Sequence, residues 1–355
     1  MTLFKNLRAP WRGLCLFPMA ALAGCNTLVL NAPGDIAAQQ GRLIVVSTVL
    51  MLLIIVPVIA LTVFFAWRYR QSNKEAAYEP DWDHSTALEL VIWSAPLLII
   101  IALGAVTWIS THTLDPYRAL RRIDETRPVP QGTKPLVVEV VALDWKWLFI
   151  YPEQGIATVN ELAAPIDVPI SFKITGSTVM NSFYIPALAG QIYAMPGMET
   201  KLHAVMNKPG EYEGFSANYS GAGFSHMRFK FHGLAKADFD KWVQAAKAGS
   251  NTLSREAYLQ LEKPSEREPV QRFASVAPDL YERILNRCVD TTKMCMAQMM
   301  AIDASGSGSV AAYPVAASGT SPTGQGTRSY VEALACTTDN PEGRPTAVAA
   351  VPTAN

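Results

Sequence analysis

The chain is short of charge. Of its 355 residues 17% are charged against 50% hydrophobic, where an average soluble domain carries about a quarter charged. That shortfall implies apolar surface that never meets water. An excess of either sign is also missing: 30 Lys and Arg balance 30 Asp and Glu, which leaves no basic footprint for nucleic acid. Five cysteines are too few for a disulfide scaffold. There is no glycine-rich phosphate loop followed by Lys and Ser or Thr, and no internal repeat stands out. Gly223-Phe224-Ser225-His226-Met227 begins like a nucleophile elbow but lacks the closing glycine, which argues against a serine hydrolase. An average soluble enzyme and a DNA-binding protein are both poor fits.

Long uncharged runs are present instead. Lys5, Arg8 and Arg12 precede an apolar stretch from Leu14 to Leu22, which ends at Leu22-Ala23-Gly24-Cys25. A basic region followed by a short apolar one reads as a secretory signal rather than a spanning helix. The small residues directly before Cys25 resemble the lipobox of bacterial lipoproteins. That resemblance implies a signal peptide over 1–24 and an acylated Cys25 as the mature N-terminus on the outer side of the membrane. An ordinary signal with a chance cysteine is the plainer alternative.

From Leu43 to Trp67 there is no charged residue, and Arg42 and Arg68 close the ends. About 20 apolar residues cross a bilayer, so this stretch predicts a span over about 43–67, with Pro57 as an expected kink. A second span is expected over about 88–109, with Trp93 and Trp108 as interfacial anchors. Arg68, Arg70 and Lys74 favour a cytoplasmic loop between them. A lipid outside followed by two crossings returns the rest of the chain to the outside, the same orientation. Glu89 falls in the first turn of the second span on its cytoplasmic side. An ionisable group at that depth is a functional candidate, and a glutamate snorkelling toward headgroups is the bland reading.

Past Leu114 the pattern turns to short β-rich runs: Leu136–Leu143, Trp145–Tyr151, Pro169–Ile174, Lys201–Met206 and Met227–Phe231. Turns such as Met195-Pro196-Gly197 and Lys208-Pro209-Gly210 punctuate them, which predicts a β-sandwich or small barrel. Two stretches then carry a family signal, Val179-Met180-Asn181-Ser182-Phe183-Tyr184-Ile185-Pro186 and Ser216-Ala217-Asn218-Tyr219-Ser220-Gly221-Ala222-Gly223-Phe224-Ser225-His226-Met227. With Asp144-Trp145-Lys146-Trp147 and the two spans, they resemble subunit II of the haem–copper respiratory oxidases. The resemblance implies two helices and an outer cupredoxin-like sandwich. In the cytochrome c-oxidising members that sandwich holds a binuclear copper centre, whose ligands are a histidine and then Cys-x3-Cys-x3-His-x2-Met.

Here Asn181 stands at the first histidine, Ser216 and Ser220 at the cysteines and Phe224 at the second histidine. Asn218 stands at an acidic position whose carbonyl also serves as a ligand, and Met227 alone is retained. Soft thiolates hold copper well, a hydroxyl is a hard and weak ligand, and a phenyl ring has no donor atom. The chain is therefore expected to hold no copper. Among relatives this loss marks the quinol oxidases, and the whole pattern over roughly 25–287 resembles the bacterial cytochrome bo-type ubiquinol oxidases. Membership would place haem, copper and quinol chemistry in subunit I. It would also imply subunits III and IV and membrane lipids as partners, and put Glu89 near the cytoplasmic mouth of a proton channel.

Among other candidates, His226 and His232 would share one strand face with Arg228 and Lys230, a poor place for a cation. Trp145 and Trp147 are expected to serve packing. Phe239, Trp242, Val243 and Ala246 repeat at helical spacing, with Gly249 as a stop, and further helices are expected around Arg255–Leu261 and Leu280–Cys288. Cys288, Met294, Cys295, Met296, Met299 and Met300 invite a copper-trafficking reading. On one continuous helix Cys288 and Cys295 would lie about 10 Å apart, too far for a disulfide; without the helix the pairing stays open. From Ala301 the composition predicts disorder.

The expected architecture is thus a signal peptide (1–24), a lipid-anchored two-helix hairpin (25–114), a cupredoxin-like periplasmic domain (115–233), an aromatic-bearing helical extension (234–300) and a disordered tail (301–355). The expected function is a non-catalytic subunit II of a proton-pumping ubiquinol oxidase in the bacterial inner membrane. A stand-alone cupredoxin-like lipoprotein for copper handling or assembly, and a menaquinol oxidase subunit, are the alternatives.

Overall fold

The computed structural model describes residues 28–77 and 79–304. The leader, Cys25 and the chain beyond Ala304 lie outside the described residues. Two long helices come first, α1 (Asp35–Arg68) and α2 (Thr86–Thr113). Both contain their expected span and exceed it. At 1.5 Å per residue they run about 51 and 42 Å, against about 30 Å of hydrocarbon. The surplus at the outer side carries polar residues such as Asp35, Gln39, Thr111 and His112, which need no lipid. The helical assignment of α1 is unbroken through Pro57, as that of α2 is through Pro96. Ser85 caps α2 by accepting from the Leu88 N–H. The apolar faces of both helices are uncovered within the chain, Leu53, Val63, Ile100 and Trp108 among them, and both helices are long and apolar enough to cross a membrane.

The outer domain is a two-sheet sandwich. One six-stranded sheet has the order β12-β3-β2-β1-β5-β8 and the other, five-stranded, the order β4-β10-β9-β6-β7. The strands are β1 (Leu136–Leu143), β2 (Lys146–Tyr151), β3 (Ile156–Val159), β4 (Glu161–Pro165), β5 (Ile170–Gly176), β6 (Asn181–Tyr184), β7 (Ile192–Ala194), β8 (Thr200–Ala204), β9 (Gly210–Ser216) and β10 (Arg228–Leu234). Pairing is mixed: β1–β5 and β4–β10 run parallel, and the other pairs within these two sheets run antiparallel. The core between the sheets is aromatic. Trp147, Phe149, Phe183 and Phe229 are buried, with the Phe183 and Phe229 rings stacked at 5.5 Å. The cupredoxin-like sandwich expected from the sequence is therefore what the chain forms.

Element boundaries shift where the backbone intervenes. The second strand begins at Lys146 rather than Trp145, because Trp145 has φ +63° in the two-residue β1–β2 hairpin. The last sandwich strand begins at Arg228, after a 3-10 turn over Phe224–His226. Its alternation holds as read, with Phe229 and Phe231 buried and Arg228 and Lys230 exposed.

After the sandwich come α3 (Lys236–Lys247), β11 (Thr252–Leu253), α4 (Arg255–Leu261), β12 (Gln271–Phe273), β13 (Ser275–Val276) and α5 (Leu280–Leu285). In α3 the expected face is the buried one, through Phe239, Val243 and Ala246. The helix expected to reach Cys288 stops at Leu285, where Arg287 adopts φ +56°. That stop removes the objection to pairing, and Cys288 and Cys295 form a disulfide with their Cα atoms 4.8 Å apart. The disulfide belongs to a second compact unit that begins at Asn286. In this unit α6 (Met296–Ala304) runs past the boundary expected at 301, since Ala301, Ile302 and Ala304 continue a helix readily.

On β1, Glu139 pairs in register with Lys173 of β5. Burial, with Glu282 and Glu199 nearby, pushes its carboxyl up to about 7 against the opposing effect of Lys173. An acid whose folded value is raised ionises first in the unfolded chain, so its contribution is lost as pH climbs from about 4.5 to about 7. Glu139→Gln is expected to leave stability unchanged at pH 4 and to raise it by about 1 kcal/mol at pH 8, a figure discounted for partial exposure. Thermal unfolding of the two proteins at both pH values checks this.

Candidate functional site

Two places hold the residues singled out by the sequence. The first is the tip of the sandwich, where the β5–β6 connection meets the β9–β10 loop. β6 begins at Asn181 and β9 ends at Ser216, and the pairing of Phe183 with Ser216 brings the two strand ends together. The Ser216 hydroxyl lies 3.1 Å from Asn181 Oδ1 and 3.2 Å from the Asn218 carbonyl oxygen, so its one proton is shared between two acceptors. Asn181 Nδ2 donates to the Val179 carbonyl at 3.3 Å, and Asn218 Nδ2 to the Met180 carbonyl at 3.1 Å. Asn181, Ser216 and Met227 are buried. The Phe224 ring meets Tyr219 edge-on at 5.5 Å. Ser220 differs, because its hydroxyl is buried with no hydrogen-bond partner among the described residues.

The loop is shaped around Trp145. Its indole N–H donates to the Ser220 carbonyl at 3.1 Å, and its ring lies where a Cβ on Gly223 would come within 2.6 Å. Gly221 has φ +112° and would itself place a Cβ 3.2 Å from that ring. The six ligand-position residues thus occupy one loop cluster, and their chemistry does not fit copper. Two hydroxyls, an amide and a phenyl ring replace the thiolates and imidazoles, a second amide stands at the acidic position, and Asn181 Oδ1 and the Asn218 carbonyl each already accept from Ser216. Among the described residues no group of three or more His, Cys, Asp or Glu could hold a metal. Of the histidines weighed, His226 Nε2 lies 3.2 Å from Arg267 Nη2, and His232 Nε2 lies 3.5 Å from Glu161 Oε1.

The second place is the first turn of α2. Glu89 is half-exposed, and its Oε1 lies 2.7 Å from Nδ1 of His84. The other ring nitrogen of His84 lies 3.1 Å from the Thr86 hydroxyl. His84 did not stand out in the sequence. The available signal was its position one residue before the Ser85 cap, next to Asp81 and Asp83 in a short acidic turn. The Glu89 site and the sandwich tip share no residue: Glu89 lies in the first turn of α2, and the sandwich follows the end of that helix.

Long-range ionic ties that no local pattern could reveal fix the rest. Asp35, buried at the start of α1, takes a bidentate pair from Arg122 at 2.9 and 3.0 Å, and Gln39 donates to it at 2.8 Å. Lys146 is buried on β2, and its ammonium donates to the Lys263 carbonyl at 2.7 Å and the Ser265 hydroxyl at 2.6 Å. Burial lowers its pKa, against the pull of Glu268 and Asp144. Glu161 on β4 holds Arg272 of β12 through two bonds of 2.7 and 2.8 Å.

Comparison with known proteins gives two family matches. A model described as cytochrome c oxidase subunit II, periplasmic domain, matches residues 152–233, and one described as the COX aromatic rich motif matches residues 247–292. The chain is 51% identical over 269 residues to cytochrome bo(3) ubiquinol oxidase subunit 2 of Pseudomonas putida, covering 76% of this chain and 83% of that protein. It is 49% identical over 282 residues to the protein of the same name from Pseudomonas aeruginosa, covering 79% and 82%. It is 50% identical over 264 residues to ubiquinol oxidase subunit 2 of Acetobacter aceti, covering 74% and 83%.

Proposed function

Because the chain belongs to the ubiquinol oxidase subunit 2 family within the haem–copper oxidases, we propose that its own work in the complex is to cap, anchor and admit protons, with haem, copper and quinol chemistry in subunit I. As a subunit of a terminal ubiquinol oxidase it serves a reaction whose donor is soluble in the membrane. A quinol can reach a partner within the bilayer, so no relay through the sandwich is needed. The observation that carries this reading is the hydrogen-bonded Asn181–Ser216–Asn218 cluster at the place where copper-bearing relatives hold their metal. It keeps the loop folded without a ligand set.

In this reading α1 and α2 lay their uncovered apolar faces against subunit I and lipid, and subunits III and IV complete the complex in the inner membrane. The sandwich stands on the periplasmic side, and a lipid on Cys25 adds a second attachment there. Glu89, paired with His84 at the cytoplasmic end of α2, takes protons from the aqueous side and passes them toward subunit I.

Oxygen uptake by the detergent-solubilised complex, purified through a tag on this chain, tests the donor. Turnover is expected with ubiquinol and none above background with reduced cytochrome c. Turnover with neither, and no oxidase co-purifying, would favour the stand-alone lipoprotein.

A further inference from the structure

Where the helical hairpin meets the sandwich, the chain encloses a cavity of about 280 Å³ on the outer side. Its walls come from the first turn of α1, the last turn of α2, the segment after it, with Asp115, Arg118, Arg121 and Arg122, and the sandwich, through His203 of β8. A second cavity of about 300 Å³ lies between the helices, walled by Leu43, Val106 and Ile109 together with Arg42, whose guanidinium pairs with Glu125. The two adjoin, because Gln39, Thr113, Leu114 and Arg122 line both. One volume is polar at the height where the helices leave the bilayer, and the next, about one turn deeper, presents mostly apolar surface.

The charge balance of the polar volume decides what it would take. Arg122 is committed to the buried Asp35. Asp115 accepts from the Tyr117 N–H at 2.9 Å and is the other acid of the lining. Arg118 gives one N–H to the His112 carbonyl at 3.1 Å and keeps the rest of its donors. The Arg121 guanidinium has no partner among the described residues. His203 is partly buried, and burial and Lys201 both lower its pKa, so at neutral pH it adds no charge. Arg118 and Arg121, neither of them in an ion pair, therefore bring two positive charges to a lining whose one carboxylate outside an ion pair is Asp115. A planar guanidinium pairs with phosphate through two parallel bonds, and two of them side by side suit an anionic headgroup. A neutral quinol would leave one of these two positive charges uncompensated.

We propose that this junction is a specific phospholipid site: the headgroup phosphate sits between Arg118 and Arg121, and an acyl chain runs along Leu43, Val106 and Ile109 in the α1–α2 groove. Such a lipid would fill the step between helices and sandwich and fix the height of the outer domain over the membrane. The site uses neither the sandwich tip nor Glu89, so it stands apart from the function proposed above.

Native mass spectrometry of the detergent-solubilised protein, purified through a tag on this chain and given phosphatidylglycerol, tests it. Wild type is expected to keep one phosphatidylglycerol more than the Arg118→Gln/Arg121→Gln variant, and to lose about tenfold in apparent affinity on that double change. Arg121→Lys, which keeps the charge and loses the fork, should fall between them. Both arginines lie outside the buried ion pair, and an unchanged thermal unfolding profile would show that the variant is folded. Equal lipid retention in folded wild type and variant would overturn the proposal. Displacement of the lipid by millimolar inorganic phosphate would reassign the site to a free anion. A phosphatidylglycerol with a photoreactive acyl chain should label peptides containing Leu43 or Ile109, and labelling confined to other subunits would also overturn it.

Discussion

Glu89→Gln is expected to slow ubiquinol-driven oxygen reduction about tenfold, a barrier increase of about 1.4 kcal/mol, while the complex assembles with its full complement of subunits. Glutamine matches glutamate in size and keeps a hydrogen-bond acceptor for His84, so α2 has no reason to move. What it loses is the ability to bind and release a proton. Ser85 caps the helix independently, by accepting from the Leu88 N–H, which leaves the helix start intact in the variant. Glu89→Asp keeps a titrating group on a shorter arm and should recover part of the rate. Turnover measured with ubiquinol from pH 6 to 9 separates the possibilities. A proton-handling role predicts a deficit that widens as protons become scarce. A deficit equal at every pH would point to altered packing instead, and no deficit at any pH would return Glu89 to the snorkelling reading.

Much of the fold was legible in the sequence because it rests on local periodicity. The uncharged run from Leu43 to Trp67 lies wholly within α1, the Phe239–Ala246 face is the buried face of α3, and Arg255–Leu261 is α4 residue for residue. The alternation through Phe229 and Phe231 placed the inner face of β10 correctly. The altered ligand set was legible because a resemblance supplied the positions. What periodicity cannot carry is closure between distant segments. Asp35 and Arg122 are 87 residues apart, and Glu161 and Arg272 are 111 apart. Nothing at either end of such a pair marks its partner. The strands of the extension escaped for a different reason: β12 has three residues and β11 and β13 have two each, too few to show a period of two. The disulfide stayed open in sequence because a helix continuous from Cys288 to Cys295 would forbid it, and the left-handed Arg287 that follows the helix ending at Leu285 looks like any other arginine in sequence.

Arg272→Ala should cost about 3 kcal/mol of stability, the low end for unpairing a buried ion pair because the arginine side chain is 39% exposed. Its partner is not exposed in the same way: the Glu161 side chain retains only 9% of its accessibility, and without Arg272 it keeps the longer 3.5 Å approach of His232. Arg272 also lies over the Trp242 ring, 5.9 Å from its centroid, so the same change loosens the contact between β12 and α3. Because β12 pairs with β3 at the sheet edge, the deficit should appear as early release of the extension, read as faster amide exchange over Gln271–Phe273 and as a lower midpoint in thermal unfolding. The double variant Glu161→Leu/Arg272→Leu discriminates between two accounts of that loss. If the cost comes from stranding a carboxylate, removing both charges should recover most of it, since replacing a buried pair with apolar groups of similar volume is often near neutral. If Arg272 matters chiefly as the bridge that registers β12 against β4 and α3, the double variant should stay as unstable as Arg272→Ala, and amide exchange over β12 should stay fast.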